Sequence, residues 1–119
     1  MQTPLQVNFK EMAPSSAIEA DIRQRADLLE RYFDRITSCR VVVEAQNRSH
    51  RQGRVYGCTI DLAVPGHEIA VGHESPKDHA HEDVHVAIRD AFAAASRRLQ
   101  DHARRARGDV KMHQGPSKA

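Results

Sequence analysis

Apolar residues in the last third of the chain recur at the spacing of an α-helix. Between Glu82 and Arg107 they fall at intervals of mostly three and four positions, as Val84, Ile88, Ala91, Phe92, Ala95 and Leu99. This spacing places them along one side of a helix, and the abundant alanines favour that conformation. No Gly or Pro interrupts the segment before Gly108, after which the periodicity is lost. The pattern predicts an amphipathic helix over residues 82–107.

A second helical pattern follows the sequence Pro14-Ser15-Ser16. Its apolar positions extend to about Arg35 and are Ile18, Ile22, Ala26, Leu29 and Phe33. Ser15 or Ser16 is the predicted N-cap, and Glu19, three residues after Ser16, predicts a capping box.

Four segments have the alternation or the many β-branched residues that are typical of strands. They are Leu5–Phe9, Arg40–Gln46, Val55–Val64 and His67–Glu74. The Pro65-Gly66 pair predicts a tight turn between the last two strands. The polar segments 47–54 and 75–81 are predicted loops, and the first of them contains no acidic residue.

The predicted element order is therefore β-α-β-β-β-α. The first β-α-β unit requires a parallel pair of strands, and the short later connections require antiparallel pairs. One four-stranded sheet in the order 1-2-3-4 follows, and both apolar helix stripes need an apolar sheet face for burial. We predict an α+β fold, a two-layer sandwich with both helices packed on one face of the sheet.

The composition limits the class of protein. At 119 residues, with 4% aromatic residues and no Trp, the chain has room for one modest core built from aliphatic side chains. Cys39 and Cys58 are too few for a disulfide framework, and Cys58 is expected to be a buried thiol within a strand. No apolar stretch reaches transmembrane length and no signal-peptide pattern opens the chain. We therefore expect a cytoplasmic protein without membrane association.

Eight histidines raise the question of a metal site. His81 and His85 are four residues apart, and His73 and His79 are nearby, but no Cys is close and this spacing alone is a weak signal. We interpret them as solvated loop and cap residues. The sequence contains no phosphate-binding Gly-rich loop and no GxSxG, and no pair of carboxylates indicates acid–base catalysis. It predicts no catalytic residue, no metal site, no cofactor and no small-molecule substrate, and hence a protein that is not an enzyme.

The distribution of charge is more informative than the net charge of +2. Residues 97–107 contain one acid, Asp101, and five arginines, which are Arg97, Arg98, Arg104, Arg105 and Arg107. The helix macrodipole favours cations at a C-terminus by about 0.3–1 kcal/mol each, which accounts for one or two of them. A larger surplus is suited to binding phosphate groups, and Arg23 and Arg25 of the first helix can extend the same surface. Because aromatic residues for base stacking are few, a structured RNA is the expected partner.

Two segments resemble a known family. Glu30–Ile36, with the sequence ERYFDRI, resembles the motif that closes the first helix of the ribosome hibernation-promoting factors. This is the ribosome-associated inhibitor family, also described as sigma-54 modulation proteins. The segment Asp83–Ile88, with Arg97 and Leu99 after it, resembles the family's second helix. The predicted element order is also that of the family, and the resemblance covers roughly residues 5–107.

The resemblance implies a ribosome-binding domain in residues 1–107, followed by a flexible tail in residues 108–119 or a linker to a further C-terminal domain. Family members bind the small ribosomal subunit in the channel used by mRNA and the anticodon ends of tRNA. They thereby block translation in stationary phase, stress or cold, using basic residues of both helices against ribosomal RNA. The expected RNA-binding residues are Arg23, Arg25, Arg89, Arg97, Arg98, Arg104 and Arg105.

Some positions depart from the family pattern. Arg23 and Arg89 are basic where relatives need not be, and Leu28 and Ala94 stand where relatives often carry Lys. Two other functions remain open at this point. One is a general module for structured RNA, and the other is a metal-handling or protein-interaction domain that uses the histidines of residues 73–85.

Overall fold

Four strands and two helices follow one another in the predicted order. The computed structural model describes residues 3–47, 54–72 and 83–114. The elements are β1 (Gln6–Lys10), α1 (Ser16–Tyr32), β2 (Ser38–Asn47), β3 (Arg54–Val64), β4 (His67–Val71) and α2 (Val84–Gln114). The order β-α-β-β-β-α is confirmed. The predicted loops lie almost entirely outside the described residues.

The strands form one sheet in the order β1-β2-β3-β4, as predicted. β1 is parallel to β2, whereas β3 is antiparallel to both β2 and β4. Val41 at the centre of β2 lies beside Val7 of β1 and Ile60 of β3. Because side chains alternate along each strand, this register brings the apolar residues of all four strands to one face.

Both helices cover that apolar face and complete a two-layer α+β sandwich, which confirms the predicted fold class. Ile22 of α1, Ile60 of β3 and Ile88 of α2 are fully buried in one core. α2 contacts β3, β4 and α1. The opposite face of the sheet, called here the open face, is covered by neither α1 nor α2. Its charged residues are Lys10, Arg40, Glu44, Asp61 and Glu68.

α1 begins with the cap that a serine provides. The Ser15 side chain accepts a hydrogen bond from the backbone N–H of Ile18 at 3.2 Å. With Ser15 as N-cap, the capping-box position belongs to Ile18, so the predicted role of Glu19 is wrong. Glu19 instead forms an ion pair with Arg23 one turn later. α1 ends at Tyr32, three residues before the predicted end.

α2 begins after Asp83, whose side chain accepts a hydrogen bond from the backbone N–H of His85 at 2.9 Å. The helix continues through Gln114, seven residues beyond the predicted end at Arg107. A glycine inside a helix costs about 1 kcal/mol relative to alanine, which is too little for Gly108 to end a helix anchored in the core. Residues 108–114 are therefore helical, and a role of residues 108–119 as a linker stays a prediction.

β4 ends because Gly72 adopts a conformation that other residues avoid. Its φ angle is +91°, in the left-handed region, and a Cβ placed on it would lie 2.7 Å from the backbone oxygen of Cys58 in β3. The predicted strand extended to Glu74, but β4 ends at Val71, and residues 73 and 74 lie outside the described residues. Only glycine fits position 72 without strain, because of its backbone conformation and its close approach to β3.

We predict that Gly72→Ala lowers the free energy of unfolding by at least about 2 kcal/mol, because it combines a left-handed backbone with a clash against β3. Gly57→Ala is the matched control, since a Cβ on Gly57 meets nothing within 4 Å. Urea denaturation of both variants measures the difference. Equal stabilities for the two would contradict this assignment.

Candidate nucleic-acid interface

The two helices form a layer in which they run side by side in the same direction. Near their starts, Asp21 of α1 lies 2.7 Å from the ring of His85 in α2. Near the end of α1, Phe33 shares a groove with Leu99 and Ala103 of α2. The C-terminal half of α1 and the second half of α2 therefore meet at the same end of the layer.

The second half of α2 exposes four arginines, which are Arg97, Arg98, Arg104 and Arg105. We call these four residues the arginine surface. Arg97 and Arg104 are seven residues apart with Asp101 between them, so all three share one helix face. Arg98 and Arg105 have the same spacing on the neighbouring face. Within this group Asp101 is the single acid, and it forms an ion pair with Arg104.

Arg98 makes a contact that its position in the sequence does not reveal. Its guanidinium donates a hydrogen bond to the backbone oxygen of Ala70 at 3.1 Å. Ala70 lies in β4, the edge strand of the sheet formed by the described residues, and the outward carbonyl groups of an edge strand need other partners. Arg98 therefore ties α2 to the sheet edge, so part of its hydrogen-bonding capacity is used within the protein.

The candidate arginines nearer the start of the layer each have an acidic partner. Arg23 pairs with Glu19 at 2.9 Å, and Arg25 pairs with Asp21 at 2.9 Å. In α2, Arg89 pairs with its neighbour Asp90 at 3.1 Å. α1 as a whole carries three arginines and four acidic residues. Its charge is thus largely compensated, unlike that of the arginine surface.

Arg97 and Arg105 differ from the other candidates. Both side chains are exposed, and no ion pair joins either of them to another residue within the described ranges. Such guanidinium groups can bind a phosphate without first breaking an internal pair. All seven predicted RNA-binding arginines thus lie in the helix layer. Arg97 and Arg105 have no ion-pair partner among the described residues, whereas each of the other five forms an ion pair or a hydrogen bond within the protein.

Asp21 links the two helices electrostatically. Its side chain is 18% exposed and contacts both Arg25 and His85. Partial burial would raise the pKa of this carboxyl, but the hydrogen bonds from His85 and Arg25 outweigh burial and hold the pKa below its usual value. Asp21 is therefore ionised at neutral pH and offsets part of the charge of Arg25.

The structure exposes two large apolar residues of α1 whose exposure was not predicted from the sequence. Tyr32 is 80% exposed and Leu28 is 45% exposed. They are four residues apart, so they share one side of α1 with Arg25 rather than with the buried stripe. Their exposure could have been predicted from the sequence, because neither residue fits the spacing of the apolar positions that predicted α1.

The structure offers little support for chemistry at the cysteines or histidines. Cys39 and Cys58 are buried, and burial raises the pKa of each thiol to about 12. Within the described residues, no three His, Cys, Asp or Glu side chains are grouped to hold a metal ion. His73, His79 and His81 lie outside those residues. No helix in the described part of the chain is long and apolar enough to cross a membrane.

Comparisons with known proteins give the family. A profile of the family described as Sigma 54 modulation protein / S30EA ribosomal protein matches residues 5–107. A ribosomal subunit interface protein from Coxiella burnetii has a similar structure, with 10% identity, a TM-score of 0.62, and coverage of 83% of this chain and 96% of that one.

The N-terminal domain of Protein Y from Thermus thermophilus is also similar. It shares 15% identity with a TM-score of 0.64, and the match covers 84% of this chain and 99% of that one. No curated protein sequence matches the chain. At such identities the two structures establish the fold alone, whereas the profile spans most of the sequence. The chain therefore belongs to the Sigma 54 modulation protein / S30EA ribosomal protein family, whose members are ribosome-associated and not enzymes.

Proposed function

We propose that this protein binds RNA of the small ribosomal subunit through its helix layer and inhibits translation as a hibernation factor. The observation that carries the proposal is the arginine surface, with Arg97 and Arg105 exposed and without an acidic partner among the described residues. Family membership supports the ribosome as the partner. A site in the channel for mRNA and tRNA anticodon ends would make the mechanism one of steric occlusion in the cytoplasm.

The opposite side of the molecule is less suited to phosphate. The open face carries two basic residues, Lys10 and Arg40, against three acidic ones. Arg40 also has a partner, because its guanidinium lies 3.4 Å from the carboxylate of Asp61. A polyanion is therefore attracted to the helix layer, and in particular to the end formed by the second half of α2.

The proposed mechanism requires no reacting residue, so affinity rests on arginine–phosphate contacts. Neutralising about six phosphates gives a log–log salt dependence with a slope of about −4 to −5, at roughly 0.7–0.9 per phosphate. A general binder of structured RNA has a similar slope. The two functions therefore differ in selectivity for the ribosomal subunit rather than in salt dependence.

We predict that Arg97→Gln combined with Arg105→Gln lowers affinity for purified small subunits at least about tenfold at low salt. The loss of two phosphate contacts also makes the salt slope shallower by about 1.5. Both side chains are exposed, so the thermal midpoint should change little. Binding of the labelled protein, measured across a series of potassium concentrations, gives both quantities.

The control for this variant is Lys10→Gln combined with Arg40→Gln, which removes the same charge from the open face. We expect its affinity and salt slope to match those of the wild type. Equal losses for the two double variants would show that only net charge matters, and would contradict a binding site in the helix layer.

We also predict that Asp21→Asn strengthens binding to small subunits by up to about fivefold at low salt. The substitution removes the charge that offsets Arg25, and ion pairs at a protein surface couple by about 0.2–1 kcal/mol. Asp61→Asn, on the open face, is the control and should leave affinity unchanged. Weaker binding by Asp21→Asn would instead indicate that Asp21 holds Arg25 in its binding position.

A further inference from the structure

A groove of about 590 Å³ opens at the end of α1, beside the second half of α2. Its α2 side is formed by Leu99, Ala103 and Ala106, which are small or apolar, and by His102. Phe33 and Ile36 line it from the segment that follows α1. The volume is within the range of about 300–1,000 Å³ that is usual for small-ligand sites.

Tyr32 lines this groove with an aromatic ring that is 80% exposed. The ring is not part of the core, to which the neighbouring Phe33 contributes. A tyrosine ring offers a flat apolar surface at a low cost in side-chain entropy, because only two torsions have to be fixed. An exposed ring beside an apolar groove is therefore well suited to stack against a planar partner.

The charges around Tyr32 indicate what kind of planar partner would fit. Arg31 precedes it and Arg35 lines the groove, and both side chains are exposed. Among the described residues, no ion pair joins Arg31 or Arg35 to an acid. In the part of the chain that the structure describes, Asp34 is the one acidic residue that lines the groove. The rim therefore combines an exposed aromatic ring with the guanidinium group of Arg35, and Arg31 is next to Tyr32 in the sequence. Proteins that bind single-stranded nucleic acids use this combination to contact a base and a phosphate.

We propose that this groove, with Tyr32 at its rim, binds an unpaired RNA base. The base stacks on the Tyr32 ring above the apolar floor of Leu99 and Ala103, and the adjacent phosphate contacts Arg31 or Arg35. The inference rests on the proposed RNA-binding function and adds to it a single-stranded nucleotide beside the structured RNA. An apolar groove could also receive a protein helix, but the cations next to the ring favour a nucleotide.

The sequence permits a direct test, because the chain has two tyrosines and no tryptophan. In a Tyr56→Phe background, 3-fluorotyrosine places one fluorine label at Tyr32. The probes are a single-stranded uridine hexamer and an abasic ribose-phosphate hexamer of equal charge. We expect a stacked base to shift the fluorine resonance upfield with the uridine hexamer, and the abasic hexamer to leave it near its free position.

The matching binding test uses small subunits with Tyr32→Ala and Tyr32→Phe. Base stacking contributes about 1–3 kcal/mol, so Tyr32→Ala should weaken binding about 5- to 140-fold. Tyr32→Phe keeps the ring and should bind within about twofold of wild type. Because Tyr32 is exposed, both variants should melt near the wild-type temperature, which separates lost binding from lost folding.

The outcomes separate this inference from the function on which it rests. An unshifted fluorine resonance, with subunit binding unaffected in Tyr32→Ala, overturns the base site while leaving the arginine surface in place. A fluorine shift with uridine hexamer, but no binding of wild type to subunits, supports the base site and contradicts the ribosomal proposal. A shift that depends on protein concentration without RNA would show a second copy in the groove, and would also overturn the base site.

Discussion

Two amphipathic helices pack on one apolar face of a four-stranded sheet. This packing determines the arrangement of the other parts of the structure. The core contains Ile22, Ile60 and Ile88, and among the described residues no polar or charged side chain is buried. An unpaired charge in such a core would cost several kcal/mol, so every described arginine lies at the surface. Burial of the apolar stripes therefore fixes which faces of α1 and α2 are offered to a partner.

The two outer surfaces of this sandwich differ in how much of their charge is compensated inside the protein. Asp21 and Glu19 offset arginines near the start of the helix layer, and Asp61 offsets Arg40 on the open face. The surplus is concentrated in the second half of α2. Because α1 and α2 run in the same direction, this surplus lies at the same end of the helix layer as the end of α1, where the groove opens and Tyr32 is exposed. One end of the molecule thus combines free guanidinium groups with an aromatic ring.

The sequence predicted the element order, the sheet order and the helix-layer position of all seven candidate arginines, because these follow from local periodicity and connection length. It did not predict the end of α2. Gly108 was expected to end the helix, but a glycine ends a helix only when packing of the helix on the core does not offset its unfavourable propensity. The contact of Arg98 with Ala70 joins residues 28 positions apart, and no local pattern encodes it. The pairing of Arg25 with Asp21 was visible as an i,i+4 spacing, but its link to His85 needed the packing of the two helices. The partners of an arginine, which set its availability to RNA, depend on tertiary structure.

Co-sedimentation can show whether the helix layer recognises the small ribosomal subunit. The wild-type protein would be centrifuged with purified small subunits at low and at high potassium, beside an equal mass of generic structured RNA. We expect the protein to pellet with the subunit at low potassium, to be released at high potassium, and to pellet little with the generic RNA. Equal pelleting with the subunit and with the generic RNA, or pelleting with neither, would contradict recognition of the subunit by the helix layer.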